Sequence, residues 1–316
     1  MSVRLFDWRD LPVLLRYRRH GLYFDTASFL TRGPMRVPAG AMLSYLAPAT
    51  GIFTYLATKR INNGFPILGQ VTHRSGLPFA RLSFLAPEAA LESSALPELL
   101  EYMITQIGKR GAFHLLAEVD ERSVAFEVLR RASFAIYVRQ RIWQLNLEPS
   151  SDGQPSYWRA GKARDIISVR SLYNNLVPGL VQQVEPPPNA HLQGLVYMAG
   201  DEMQAHVEVK YGPRGIWVQP FIHPDAGDVS GLLCDLLHNL PHRRARPVYL
   251  CVRSYQSWLE PHLKEQGAEA GPIQAVMVKH LAISQRVARS FSLRTLEGGQ
   301  HEATAPFVRS ESKKEL

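Results

Sequence analysis

Apolar residues recur along the chain with two periods, every second position in strand-like runs and every third or fourth in helix-like ones. One succession of such runs occurs twice. Residues 112–119 (AFHLLAEV) read as a strand, 121–133 (ERSVAFEVLRRAS) as an amphipathic helix and 135–145 (AIYVRQRIWQL) as a long apolar strand. Residues 247–252 (PVYLCV), 257–266 (SWLEPHLKEQ) and 273–281 (IQAVMVKHL) repeat that order. Ser133 and Gly267 stand 134 residues apart, as do Leu129 and Leu263, so the chain reads as two related domains.

Upstream in the first copy the pattern predicts a strand at 3–6 and a helix at 10–23, with Asp10 as N-cap and Pro12 in its first turn. A strand at 52–59 follows, then a hairpin of 66–73 and 77–85 about Arg74, Ser75 and Gly76, and an amphipathic helix at 96–109 closed by Gly111. The second copy has a helix at 162–173, strands at 192–198, 203–211 and 215–222, and a helix at 229–240. Residues 148–155 (EPSSDGQP) have linker composition, which divides the chain into domains at 1–147 and 156–283 with a polar tail at 284–316. Pro186, Pro187 and Pro188 break any regular element and mark an excursion inside the second domain.

At 316 residues the chain exceeds the usual single domain, and each half is long enough to bury a core. No run approaches the roughly 18 apolar residues of a membrane span, and the first residues lack the basic-then-apolar order of a secretory signal, so the expected location is cytoplasmic with no membrane partner. Cys234 and Cys251 read as small buried hydrophobes, and no His/Cys spacing suits a metal. The formal charge of +8 is spread over short groups: Arg16, Arg18 and Arg19; Arg130 and Arg131; Arg243, Arg244 and Arg246. With no nucleic-acid module beside them, these speak against nucleic acid as a partner. A basic surface also suits a polyanionic small ligand such as a coenzyme with several phosphates.

Strand, helix, three meandering strands, helix, strand, helix, strand is the element order of the GNAT N-acetyltransferase superfamily, and both halves resemble it. The segment VAFEVLRRASF at 124–134 is similar to that family's closing helix motif A-x-x-L-Y-x-x-x-G-F. Ala125 and Phe134 match, Val128 stands for leucine, Leu129 for tyrosine and Ser133 for glycine. In the second half Gly267 matches, and Leu263 again takes the tyrosine position. The resemblance runs from residue 1 to about 283. It implies an α/β protein of two tandem, degenerate acyl-CoA N-acyltransferase-like domains, each a mixed twisted sheet with helices on both faces. It also implies acetyl-CoA as co-substrate, no metal, and a small-molecule or peptide amine as acceptor.

The family holds the coenzyme pyrophosphate on a loop Q/R-x-x-G-x-G/A that opens the helix after the fourth strand, where free N–H groups meet the phosphates. The first-half counterpart, PEAALESSAL at 87–96, has no glycine and carries Glu88 and Glu92, with Ser93 and Ser94 as its hydroxyl donors. The second-half counterpart, PDAGDVSGL at 224–232, offers Gly227, Ser230 and Gly231 beside Asp225 and Asp228, after Phe221 and Ile222 at the end of the fourth strand. Coenzyme is therefore expected on the second domain. Acyl transfer to an amine needs a base for the ammonium proton and an acid for the departing thiolate. His223 and Glu208 are the base candidates and Tyr255 the acid candidate, with His114 and Glu118 alternating with leucines in the first half. The degraded loops and missing motif tyrosines keep open a pseudo-acetyltransferase that binds a ligand or protein partner without chemistry, and the tandem resemblance also implies a third reading, an amino-acid transferase using charged RNA.

Overall fold

The computed structural model describes residues 3–281 apart from 18–19, 35, 47, 58–65, 146–155, 189–191 and 245. The linker read at 148–155 and the tail from 284 lie outside the described residues. The first half runs β1 (Val3–Leu5), α1 (Leu11–Tyr17), β2 (Leu22–Tyr23), α2 (Thr26–Arg32), α3 (Arg36–Leu46), β3 (Ile52–Ala57), β4 (Ile67–His73), β5 (Phe79–Ala86), α4 (Leu96–Gly108), β6 (His114–Asp120), α5 (Val124–Arg131) and β7 (Ala135–Leu145). The second runs β8 (Arg159–Ala160), α6 (Ile166–Leu176), α7 (Gly179–Val184), β9 (Gly194–Ala199), β10 (Glu202–Tyr211), β11 (Ile216–Ile222), α8 (Val229–His238), β12 (Val248–Arg253), α9 (Glu260–Glu265) and β13 (Glu269–His280).

The helix expected at 10–23 is shorter, ending at Tyr17. Leu22 and Tyr23 instead pair with Leu85 and Phe84 of β5. Gly21 precedes them because a Cβ there would lie 2.2 Å from the Phe84 ring. The stretch after Tyr23 holds α2 and α3. Asp25 caps α2 by accepting the Ser28 N–H, and Gly33 at φ 74 closes it.

The strands form one continuous sheet in the order β1-β3-β4-β5-β6-β13-β7-β12-β11-β10-β9-β8, with β2 added on β5. The last strand of each half has crossed to the other: β13 lies between β6 and β7, and β7 between β13 and β12. At the centre Gln140 pairs with Gln274 in antiparallel register, and Gln140 Nε2 donates to Gln274 Oε1 at 2.8 Å. These glutamines are 134 residues apart, the spacing of the sequence repeat. A residue paired with its own repeat equivalent puts a local two-fold axis through the pair.

The starts of the halves also match. Arg4 grips Asp10 with two bonds of 2.7 Å, and Arg159 grips Asp165 with bonds of 2.7 and 2.8 Å. Each carboxylate also accepts a backbone N–H three residues upstream, from Asp7 and Lys162.

The hydrophobic cores follow the strand exchange. Met277 and Ala275 of β13 sit in the first-half core with Tyr55, Leu82, Leu99 and Met103, under α4 and α5. Trp143 and Leu145 of β7 sit in the second-half core with Val218, Leu233 and Leu250, under α8. A fully buried methionine or leucine contributes roughly 1.5–3 kcal/mol, so each half draws part of its stability from the other's chain. On the opposite face Tyr173, Val177 and Val181 of the α6–α7 region cover Val138, Val276 and Phe221, while Ala27 and Leu30 of α2 rest on Trp217 and Cys251 of the second half.

Candidate functional site

The fourth and fifth strands of each half part company. β5 and β6 pair in parallel only from Phe79↔His114 to Arg81↔Leu116, and β11 and β12 only from Ile216↔Val248 to Val218↔Leu250. Beyond those points the facing backbone groups must find other partners. In the first half the chain supplies them itself. The Phe24 N–H donates to Ser83 O at 3.2 Å, and Phe24 O accepts the Glu118 N–H at 2.9 Å. Thr26 N–H then donates to Glu118 Oε2 at 3.0 Å. In the second half no such main-chain bridge exists among the described residues. Among the described residues the buried Gln256 side chain reaches in, its Nε2 donating to Ile222 O at 3.0 Å.

A buried ionic cluster adjoins the second opening. Arg253, the last residue of β12, is 4% exposed and donates from Nη2 to Glu185 Oε2 at 3.2 Å. Its Nε and Nη1 find no hydrogen-bond acceptor among the described residues. Glu185 also accepts from Arg81 at 3.0 Å and from the Tyr137 hydroxyl at 2.7 Å, while Arg81 reaches on to Glu118 at 2.9 Å. The Tyr173 hydroxyl donates to the Glu185 carbonyl at 2.6 Å. Burial alone would raise the Glu185 carboxyl, but the charges of Arg253 and Arg81 and the Tyr137 hydrogen bond hold it at about 2. Burial lifts the phenols of Tyr137, Tyr173 and Tyr255 well above the ordinary 10. It also pushes the Cys251 thiol up to about 12, so that group is a thiol at neutral pH rather than a nucleophile.

Of the three catalytic candidates, two belong to this cluster. Tyr255 packs with Tyr173 and Phe221, and both Tyr255 and Glu208 act electrostatically on Tyr173. Glu208 lies 3.0 Å from Lys210. Its carboxyl is below the ordinary range: burial raises it, and Lys210, His206 and Arg81 together lower it by more. His223 stands apart at the strand end, where its Nδ1 faces the Asp225 N–H at 3.2 Å. A neutral imidazole accepting through Nδ1 carries its proton on Nε2, which leaves no lone pair for a substrate. Of the first-half pair, Glu118 enters the cluster through Arg81, whereas His114 faces His280 with Nδ1 atoms 3.1 Å apart.

The coenzyme candidates are placed less favourably. Phe221 is 6% exposed, its ring between Tyr173 and His206, and Ile222 lies wholly within the second core. Gly227 makes a turn at φ 76. The Gly231 N–H is taken by Asp228 Oδ1 at 2.9 Å, and a Cβ on Gly231 would lie 2.3 Å from Asp228 Oδ2. The capping carboxylate thus occupies the start of α8, where phosphate would be drawn. The Ser230 hydroxyl is hydrogen-bonded to His262 Nδ1 at 2.7 Å. In the first half Ser93 accepts the Ala95 N–H at 3.2 Å and Ser94 is exposed, while α4 opens with Pro97 and Glu98, which remove an N–H and add a negative charge.

Sequence reading missed Arg81, Glu185 and Arg253. The signals were present: a glutamate before three prolines, and an arginine ending the apolar run VYLCV. Among the described residues no group of three or more His, Cys, Asp or Glu could hold a metal, and no helix is long and apolar enough to cross a membrane.

No protein-family model matches the chain, and no curated protein matches it in sequence. Solved structures do. A GCN5-related N-acetyltransferase from Sphaerobacter thermophilus superposes with a TM-score of 0.54 at 12% identity, over 89% of this chain and 95% of that one. A tandem GNAT protein from the clavulanic acid biosynthesis pathway superposes with a TM-score of 0.50 at 13% identity, over 90% and 99%. The fold is that of the GNAT acetyltransferases, as the element order implied. It is present in two tandem copies joined edge to edge through their exchanged closing strands.

Proposed function

We propose that the chain is a GNAT-like acyl-CoA-dependent N-acyltransferase acting on a small-molecule or peptide amine, with its chemistry in the second copy, 156–283. The unequal filling of the two strand openings carries this reading. The first is closed by Phe24 and its neighbours, whereas the second keeps unbridged backbone edges beside two unpartnered N–H donors of Arg253. A pantetheine arm brings amides that can bond to such edges, and a carbonyl placed against Arg253 would supply the acceptor it lacks.

In this reading the amine nitrogen attacks the thioester carbon, the C–S bond breaks and the sulfur leaves with the electron pair. Glu208, ionised at neutral pH, receives the ammonium proton directly or through water. Tyr255, kept protonated by burial, hydrogen-bonds to the departing sulfur. His223 is left at the rim.

One observation favours a second reading, a ligand- or partner-binding module without catalysis: both helix starts meant for phosphate carry the chain's own acidic residue, Asp228 and Glu98. Calorimetry with acetyl-CoA and a thiol-release assay over a panel of amines separate the two. We expect one coenzyme bound per chain and turnover that falls 10²–10⁴-fold in Glu208→Gln with affinity unchanged. Binding without thiol release supports the second reading, and absence of both removes the coenzyme from either.

A further inference from the structure

At the opposite end of β11 from the strand opening, about 20 Å away along the strand, lies an open basin of about 580 Å³ lined by Tyr211, Pro213, His242, Arg244 and Arg246. Two arginines and a histidine converge there, and no carboxylate lines it among the described residues. Its volume falls within the range of small-molecule sites.

The arrangement is built rather than incidental. Arg246 is anchored from behind: Nε donates to Arg243 O at 2.9 Å, Nη1 to Gly212 O at 2.6 Å and Nη2 to His242 O. A guanidinium has five N–H groups, so one remains on each Nη, the fork that grips two oxygens of a phosphate. The same guanidinium lies 5.7 Å from the Tyr211 ring centre, and the His242 ring meets Tyr211 edge-on at 6.5 Å. Tyr211 is 39% exposed. His242 and Arg244 are both at positive φ, 55° and 50°, an uncommon backbone state for residues other than glycine. Arg244 is exposed and makes no ion pair among the described residues.

We propose that this basin binds a small phosphate ester bearing an aromatic base, a nucleoside di- or triphosphate, with the phosphates on Arg244 and Arg246 and the base against Tyr211. The site is separate from the candidate acyl-transfer site and does not depend on it.

Calorimetric titration with inorganic pyrophosphate, ATP and adenosine, each at low and high salt, tests the proposal on the full chain. Arg244→Asn is the informative variant, since asparagine accepts the left-handed backbone while the guanidinium and its charge are lost; an unchanged melting temperature shows that the fold is intact. We expect pyrophosphate and ATP to bind, adenosine to bind far more weakly, and Arg244→Asn to weaken both phosphates at least tenfold. ATP should bind more tightly than pyrophosphate, and Tyr211→Ala should remove that margin. Failure of both phosphates to bind, or equal binding by wild type and Arg244→Asn, overturns the site. Binding of a single-stranded RNA oligomer without binding of ATP overturns the small-ligand assignment in favour of a nucleic-acid backbone.

Discussion

Glu185 holds two guanidiniums and a phenol from three strands, and replacing it with glutamine keeps its shape while removing the charge they share. The side chain is 14% exposed and that of Arg253 4%, so water screens little of the interaction. A carboxyl held at about 2 against an ordinary 4.5 corresponds to about 3 kcal/mol of folding free energy. That agrees with the roughly 3–5 kcal/mol lost when one partner of a buried pair is removed. The sign follows from the depressed value: the contribution is complete above the unfolded carboxyl's range and fades as the pH falls from about 5 towards 2. Urea unfolding of wild type and Glu185→Gln should therefore differ by about 3 kcal/mol at pH 7 and by roughly half as much at pH 3. A difference below about 1 kcal/mol at pH 7, or one equal at the two pH values, would refute the assignment of Glu185 as the charge that ties the cluster together.

Ser133 closes α5 at φ 66, where its counterpart Gly267 sits at φ 75, so Ser133→Gly should stabilise by about 0.5–1 kcal/mol in denaturant titration, and a loss of stability would contradict it. Gly231→Ala should cost about 1 kcal/mol by pushing Asp228 off the helix cap, whereas an unchanged melting temperature would mean that the cap contributes nothing. Asp10→Ala and Asp165→Ala remove equivalent arginine anchors, and each should lose about 1–2 kcal/mol in the same assay. Strongly unequal losses would argue against the equivalence. If thiol release is found, His223→Ala should retain it within a few fold; a hundredfold drop would return the base to His223.

The tandem fold was legible because helix, left-handed cap and strand recur with constant spacing around Ser133 and Gly267. The same repeat was present at the two starts as R-x₄-R-D, at Arg4, Arg9 and Asp10 and at Arg159, Arg164 and Asp165. It escaped notice because its spacing is 155 residues rather than 134, the first half having α2 and α3 between its first helix and its meander. The strand exchange could not be read at all: β7 and β13 have the same alternation whichever half they join, and neighbour choice is settled by long-range pairing. Glu208 and Tyr255 were named as candidates from their places on the third strand and just before the closing helix of the second half. Arg81, Glu185 and Arg253 were not, since each alone looks like a solvated charge and only folding brings the two guanidiniums within 3.2 Å of the Glu185 carboxylate.

The crossing of β13 into the first half sets a timetable for biosynthesis. When Leu145 leaves the ribosome, the place between β6 and β7 is still empty, and Met277, which completes the core beneath α4, has yet to be translated. At about 5–20 residues per second the nascent first half waits on the order of 10–30 seconds with one edge of β6 and both edges of β7 without their partners. Edges of that kind recruit other strands. The growing chain is thus a natural client for chaperones during that interval, and release from them should coincide with emergence of its last strand rather than with completion of its first half.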